Sequence, residues 1–396
     1  MKALLLENIH SAGVRLLNDR GIEVEARSSA LGEEELIEAL RGVELLGIRS
    51  TTHLTPRVLA AAPNLRAIGA FCIGTNQIAL DEATARGVAV FNAPFSNTRS
   101  VVELAIAEII AMARHLTDHN RRMHDGEWVK SAKGSHEIRG RTLGLVGYGN
   151  IGSQLSVMAE SLGMRVLFYD VVDKLALGNA RRCDSLDELL AEAETVSLHV
   201  DGRPANRGYF GDAEFAKMRR RSLFLNLSRG FVVDTAALKR HLDSGHVAGA
   251  AIDVFESEPP RNGTGFANPL QGTPNVILTP HIAGSTEEAQ ENIGLFVAGK
   301  LADYAETGAT VLSVNLPAVQ ATRPSGHRIT HLHRNVPGVL AKLNTVLASH
   351  GTNIEGQTLA TRGEVGYVVL DVAGDADPGV IASLRDMPEA IRVEVH

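Results

Sequence analysis

Residues 143–152 read Leu-Gly-Leu-Val-Gly-Tyr-Gly-Asn-Ile-Gly, an apolar run that ends on Gly147, Gly149 and Gly152 and passes straight into a helical pattern. No other stretch narrows the fold so far. A strand that turns into a helix on side-chain-free residues can bend tightly, approach a pyrophosphate and pack its helix against the sheet, with the first helical amides facing the anion. A chain with 38 glycines produces loose matches to such spacing. The position between a strand and a helix is what gives this one weight. The next apolar strand closes on Asp170, 18 residues beyond Gly152. A carboxylate there accepts both adenosine ribose hydroxyls and repels a 2′-phosphate, so the expected cofactor is NAD rather than NADP.

At 396 residues the chain is too long for one ordinary core, and short apolar runs alternating with helical stretches predict parallel sheets covered by helices. Buried strands are expected at residues 2–7, 43–48, 65–71 and 88–93, then a connector helix from Thr98 to His124. A doubly wound sheet follows from Arg141, one more helix runs from about Ser285 to Thr307, and a Pro-, Gly-, Ser- and Thr-rich stretch reads as a linker. The last 70 or so residues give the order strand, helix, strand, strand, helix, strand, a βαββαβ sandwich.

Composition excludes several classes. With 39 Lys plus Arg against 46 Asp plus Glu, the net charge of −7 gives no ground for nucleic acid or an anionic membrane as partner. Cys72 and Cys183 are too few for a disulfide framework, and no zinc-ligand spacing surrounds them, so no metal is expected. The first apolar run is too short for a signal sequence, and the run from Val101 to Ala113 is broken by Glu103 and Glu108. A soluble, cytoplasmic protein is the expectation.

Three strand ends downstream of the glycine turn carry candidate chemistry: Arg229 in Asn-Leu-Ser-Arg-Gly, Asp253 and Glu258 in Asp-Val-Phe-Glu-Ser-Glu-Pro-Pro, and His281 in Thr-Pro-His-Ile-Ala-Gly-Ser-Thr. Open α/β sheets keep their ligand crevice at such ends. Moving hydride from a secondary alcohol to NAD requires a base for the hydroxyl proton, and imidazole titrates near working pH. His281 is the expected base, Glu258 the carboxylate that orients it, and Arg229 the bidentate holder of a substrate carboxylate.

These motifs, with Gly-Ile-Arg-Ser-Thr-Thr-His-Leu-Thr, Phe-Cys-Ile-Gly-Thr-Asn and the run from Phe91 to Ile109, resemble the D-isomer-specific 2-hydroxyacid dehydrogenases, and among them the bacterial enzymes acting on D-3-phosphoglycerate. The resemblance implies a flavodoxin-like substrate domain built from residues 1–97 and 286–315, a Rossmann-type NAD domain over 98–285, a linker at 316–326 and an ACT domain, of ferredoxin-like βαββαβ fold, over 327–396. It implies NAD contacts at Asn150, Ile151, Asp170, Leu227, Ser228, Asp253, Ala283 and Gly284 beside the three glycines. Substrate contacts are implied at Arg49, Ser50, Cys72, Ile73, Gly74 and Lys130. His333, Asn335 and Asn353 are implied as ligands of L-serine, a feedback effector, and two kinds of two-fold contact imply a homotetramer. In two places the chain departs from the family, with Thr51 and Ser28 standing where cations are common; Arg27, Lys130 and Lys133 are the candidates to replace them. The expected reaction is oxidation of D-3-phosphoglycerate to 3-phosphohydroxypyruvate, the first step of serine synthesis. Two readings stay beside it: a dehydrogenase of another D-2-hydroxy acid, including one that reduces 2-oxoglutarate, and a non-catalytic NAD-sensing protein on the same fold.

Overall fold

The computed structural model describes residues 1–259, 262–322, 326–374 and 377–396, so positions 323–325 of the expected linker lie outside the described residues. The chain divides into two compact units, Met1–Ser96 with Gln290–His396, and Asn97–Ala289.

In the first unit, strands β1 (Lys2–Leu5), β2 (Glu23–Ala26), β3 (Leu45–Ile48), β4 (Ala67–Ala70) and β5 (Ala89–Asn92) form a parallel sheet in the order β2-β1-β3-β4-β5, the flavodoxin-like order. The apolar runs are continuous because both faces are covered. Alternate residues separate accordingly: Ala3 and Leu5 pack with Ile293, Val297 and Leu301 of the long helix, whereas Leu4 and Leu6 pack with Leu36, Val58 and Leu59. Residues 316–319 of the expected linker, with 313–315 of the return segment before them, pack on the first sheet. Asn315 accepts from the Val90 amide (2.9 Å) and donates to the Val88 carbonyl (2.9 Å), Ser313 bridges to Phe91, and Leu316 and Val319 are buried. Polar composition predicts a tether there, but the polar side chains close the open edge of β5.

The same unit holds the antiparallel sheet of β13 (His327–Arg334), β14 (Ile354–Arg362), β15 (Val365–Val372) and β16 (Ala390–Val395), ordered β14-β15-β13-β16, while the seven strands between β5 and β13 lie in the second unit. On β15, Val368, Leu370 and Val372 face a core shared with Leu343, Leu347 and Leu384 of the two helices. Val365, Tyr367 and Val369 join the core of the first sheet, with Leu332 beside them. This second buried face explains why β15 is apolar at every position but Gly366 and Asp371. Polar contacts rim it: the Tyr367 hydroxyl donates to the Gly308 carbonyl (2.8 Å), and Arg66 places its fork on Glu394 (3.0 and 2.9 Å), which also binds Arg392 (2.8 Å). Burial opposes the Glu394 charge, but the Arg66 hydrogen bond and its positive charge outweigh it, and the carboxyl is held below its ordinary pKa.

The second unit is a parallel sheet of β6 (Thr142–Val146), β7 (Arg165–Tyr169), β8 (Arg181–Arg182), β9 (Thr195–Leu198), β10 (Ser222–Asn226), β11 (Val247–Ile252) and β12 (Val276–Leu278), ordered β12-β11-β10-β9-β6-β7-β8. Strand order reverses between β6 and β9, which places the ligand crevice beyond their carboxyl ends. The expected connector is two helices, Thr98–Ala113 and Leu116–His124. The chain breaks at His115, which takes φ +49°, because the apolar stripe that packs the first helix on the sheet ends at Ala113; the second helix buries no residue.

Arg66→Ala leaves Glu394 buried with Arg392 as its remaining arginine partner, and should lower the stability of the first unit by about 2 kcal/mol. The exposed pair Arg27–Glu25 predicts little change for Arg27→Ala. Denaturant unfolding of the two variants side by side checks both expectations, and equal midpoints would contradict them.

Candidate active site

The glycine turn separates its three residues by physical demand. Gly147 has φ +94°, and a Cβ there would lie 2.5 Å from the His199 carbonyl oxygen; a Cβ on Gly152 would collide with the Gly147 oxygen. Gly149 faces open space at the start of the helix Asn150–Ser161. A phosphate can therefore approach bare backbone at Gly149 and meet the helix amino end formed by Asn150 and Ile151, so the residues present fit a dinucleotide. Asp170 braces the turn, accepting from the Tyr148 amide (2.7 Å) and the Val172 amide (2.9 Å).

Asp253 follows β11 and is fully buried. Its carboxylate accepts from the Thr279 hydroxyl (2.6 Å) and the amides of Ile282 (2.8 Å) and Ala283 (2.9 Å), and its carbonyl accepts from the His281 amide (2.8 Å). This cage holds His281 at φ +55°, a conformation costly for a side chain of this type. Thrown outward, the imidazole meets Glu258: Nδ1 and Oε2 are 2.8 Å apart, and the other Glu258 oxygen accepts from the Phe255 amide (3.0 Å). The Glu258 hydrogen bond raises the His281 pKa above the ordinary histidine value, against partial burial. Burial works against the Glu258 charge, but the hydrogen bonds from His281 and Phe255 prevail and its pKa falls. Arg229 follows β10, fixed by Asn226, whose side-chain amide donates to the Arg229 carbonyl (3.1 Å) and whose oxygen accepts from Ser228 (2.7 Å). Its charge acts on both Glu258 and His281. Arg229, Glu258 and His281, taken from three strand ends, thus form one group. Leu227, Ser228 and Ala283 are buried in the same turns, and Gly284 lies against Asn97, where a Cβ would not fit.

Sequence reasoning missed Glu108. It is 3% exposed in the helix Thr98–Ala113, and neither carboxyl oxygen has a partner. Burial, then the Asp253 charge, push its pKa up to about 8, so it is neutral at pH 7. A glutamate inside an apolar helical run was the available signal.

In the first unit, two loops are tied together by residues the sequence did not single out. Glu7 accepts from the amides of Arg49 (3.1 Å), Thr51 (3.0 Å) and Thr52 (2.9 Å), and Gln77 donates to the Arg49 carbonyl (2.6 Å) and the Gly74 carbonyl (3.3 Å). Arg49 and Ser50 therefore lie beside Cys72, Ile73 and Gly74; Asn92 holds the Ile73 carbonyl (2.6 Å), and the Cys72 thiol donates to Gly74 (3.2 Å). Thr51 and Ser28 are exposed, and Arg27 is engaged with Glu25 (2.6 Å) rather than left to a ligand. Lys130 and Lys133 are exposed in the second unit.

The three effector candidates are not brought together within one chain. His333 is buried beside His331 at the end of the sheet where Asn335 donates to Gly363 (3.2 Å). Asn353 precedes Ile354, which pairs with Val372 at the opposite end. His333 pairs with Gly366, so six residues of β15, roughly 20 Å, separate them. Burial lowers the His333 pKa, leaving a neutral ring.

Residues 106–283 match the family model described as D-isomer specific 2-hydroxyacid dehydrogenase, NAD binding domain, and residues 329–392 match the AHAS small subunit-like ACT domain. The chain is 48% identical over 398 residues to D-3-phosphoglycerate dehydrogenase of Escherichia coli K12, covering all of this chain and 97% of that one. It is 46% identical over 396 residues to the enzyme of the same name from Dictyostelium discoideum, again covering 100% and 97%. Among solved structures, the NAD complex of a D-isomer specific 2-hydroxyacid dehydrogenase from Lactobacillus delbrueckii ssp. bulgaricus is similar at TM-score 0.67 and 25% identity, over 77% of this chain and 97% of that one. Together with the glycine turn braced by Asp170 and the His281–Glu258 contact, these likenesses make the chain a member of the D-isomer-specific 2-hydroxyacid dehydrogenase family, an NAD-dependent oxidoreductase that ends in an ACT domain.

Proposed function

We propose that the protein oxidises D-3-phosphoglycerate to 3-phosphohydroxypyruvate, the first step of serine synthesis. The observation that carries this is the 2.8 Å contact between His281 Nδ1 and Glu258, beside Arg229. The 48% identity to an enzyme named for that substrate supports the choice of acid. NAD held at the glycine turn and the amino end of the helix Asn150–Ser161 would supply the hydride acceptor for the alcohol carbon. The Nδ1–H bond to Glu258 leaves the Nε2 lone pair of His281 free to take the hydroxyl proton, and the carboxylate steadies the imidazolium that results. Arg229 holds the substrate carboxylate through two parallel N–H bonds. Gly147, Gly149, Asn150, Ile151, Gly152 and Asp170 are assigned to the pyrophosphate and adenosine ribose, and Leu227, Ser228, Asp253, Ala283 and Gly284 to the nicotinamide end. For Asp253 and Ala283 the role is to shape the wall, since their polar groups are already engaged with each other.

Arg49, Ser50, Cys72, Ile73, Gly74 and Lys130 are assigned to the substrate. The exposed Thr51 and the Arg27–Glu25 pair leave fewer cations for a phosphate, which favours as second reading a D-2-hydroxy acid without one. A panel of phosphoglycerate, 2-hydroxyglutarate and lactate decides: kcat/KM highest for phosphoglycerate supports the first reading, and any other order supports the second.

Serine is proposed as effector, held by Asn335 of one copy and Asn353 of another. Their separation along β15 within one chain supports a two-fold site, because two antiparallel copies bring opposite ends of the sheet together. A cytoplasmic homotetramer is part of the same reading, and light scattering of the purified chain tests it. Removing the tail is a poor test of regulation, since it strips Leu332, Tyr367 and Val369 from the core of the first sheet. Asn335→Ala and Asn353→Ala should each raise the serine concentration for half-inhibition about tenfold or more while leaving uninhibited turnover within a factor of two. Unchanged inhibition would remove the assignment.

His281→Ala should lower turnover at least about 100-fold. Because the base must be unprotonated and Glu258 raises its pKa, the acid limb of the kcat profile of the parent should lie above the ordinary histidine range. Glu258→Gln removes the raising charge, so this limb should move to lower pH as turnover falls. A limb that stays in place would show that the pair does not set the protonation of the base.

A further inference from the structure

The carboxyl ends of the seven-stranded sheet carry the glycine turn and the His281–Glu258 pair, whereas its amino ends carry a separate cavity of about 260 Å³. Its lining residues stand just before the strands: Arg141 before β6, Glu194 before β9, Arg219, Arg220 and Arg221 before β10, and Asn275 before β12. Charge is not balanced there. Arg141 binds Glu194 (3.2 Å), whose other oxygen accepts from the Thr142 amide (3.1 Å). Among the described residues no carboxylate pairs with Arg219, Arg220 or Arg221. Three exposed guanidinium groups without a carboxylate partner at one mouth, on a chain of net charge −7, favour an anion there.

The interior supplies a second, independent observation. Ser222 and Asn275 line the cavity at 1% and 3% exposure, and Ser222 Oγ and Asn275 Oδ1 have no hydrogen-bond partner. Buried polar atoms in that condition call for a ligand or water. The backbone agrees: His115, Arg221 and Asn275, all lining this cavity, have φ of +49°, +62° and +54°, three of the seven non-glycine residues with positive φ among those described. Such conformations are held at a cost and collect where a structure binds or acts. One of the other four is His281.

We propose that this cavity binds a small organic phosphate that carries a hydroxyl or amino group. The arginine forks match a phosphoryl group, Asn275 Oδ1 accepts a hydrogen from the ligand, and the Ser222 hydroxyl donates to it. The volume lies just below the range of about 300–1,000 Å³ that holds drug-sized ligands, as a small metabolite requires. The assignment stands apart from the dehydrogenase reading, since none of these residues belongs to the Arg229, Glu258 and His281 group.

Isothermal titration of the full chain, saturated with NADH, with glycerol 3-phosphate and with inorganic phosphate tests it. The expected dissociation constant for glycerol 3-phosphate is below about 1 mM, with inorganic phosphate about tenfold weaker. Arg220→Ala with Arg221→Gly should weaken glycerol 3-phosphate about tenfold or more, with NAD-dependent turnover unchanged; both side chains are exposed, and glycine suits the φ of +62° at 221, so this variant keeps its fold. Equal affinity of the variant, or no binding by the parent up to about 10 mM, overturns the site. Equal affinity for the inorganic ion overturns the organic ligand, and a variant that changes only oligomeric state assigns the arginines to contact with a second copy instead.

Discussion

The buried carboxylate of Asp253 is the interaction on which the chemistry of the second unit rests. An anion without solvent is costly unless its lone pairs are filled. Here the fillers are the Thr279 hydroxyl and the amides of Ile282 and Ala283, all from the loop that carries His281. Desolvation is thereby turned into geometry: with the charge satisfied in this way, the imidazole leaves the turn at a positive φ and rests on Glu258. Glu108, whose pKa is raised by burial first and by the Asp253 charge second, has no such fillers and stays neutral.

A similar device recurs in the first unit. Glu7 draws three amides of one loop, those of Arg49, Thr51 and Thr52, onto one carboxylate, and Gln77 sews that loop to the one containing Cys72 and Gly74. In both units an acid at the end of a strand shapes a loop that carries other groups, so hydrogen bonds within the protein set where those groups stand.

Much of this was legible in the chain. Continuous apolar runs gave the parallel strands, the glycine turn and Asp170 gave the nucleotide unit, and the order of Arg229, Glu258 and His281 on successive strand ends gave the chemical group. What escaped was set by contacts distant in sequence. The break at His115 depends on where a helix leaves the sheet it covers, and the order at 313–319 depends on the unpaired edge of β5. The hydrogen bonds that fix Asp253 could not be read in advance, because a sequence shows a carboxylate but not which amides it faces. The separation of Asn335 from Asn353 follows from strand register, which spacing alone does not fix.

The sheet formed by β13 to β16 has apolar side chains on both faces, one beneath its own helices and one against the core of the first sheet. A module attached in this way is not a passenger on a flexible tether. Tyr367 and Val369 share one core with Leu301 and Tyr304 of the helix that roofs the first sheet. Close-packed interiors leave little slack for one layer to shift alone, so the tail sheet and the sheet beneath it are two layers of a single core.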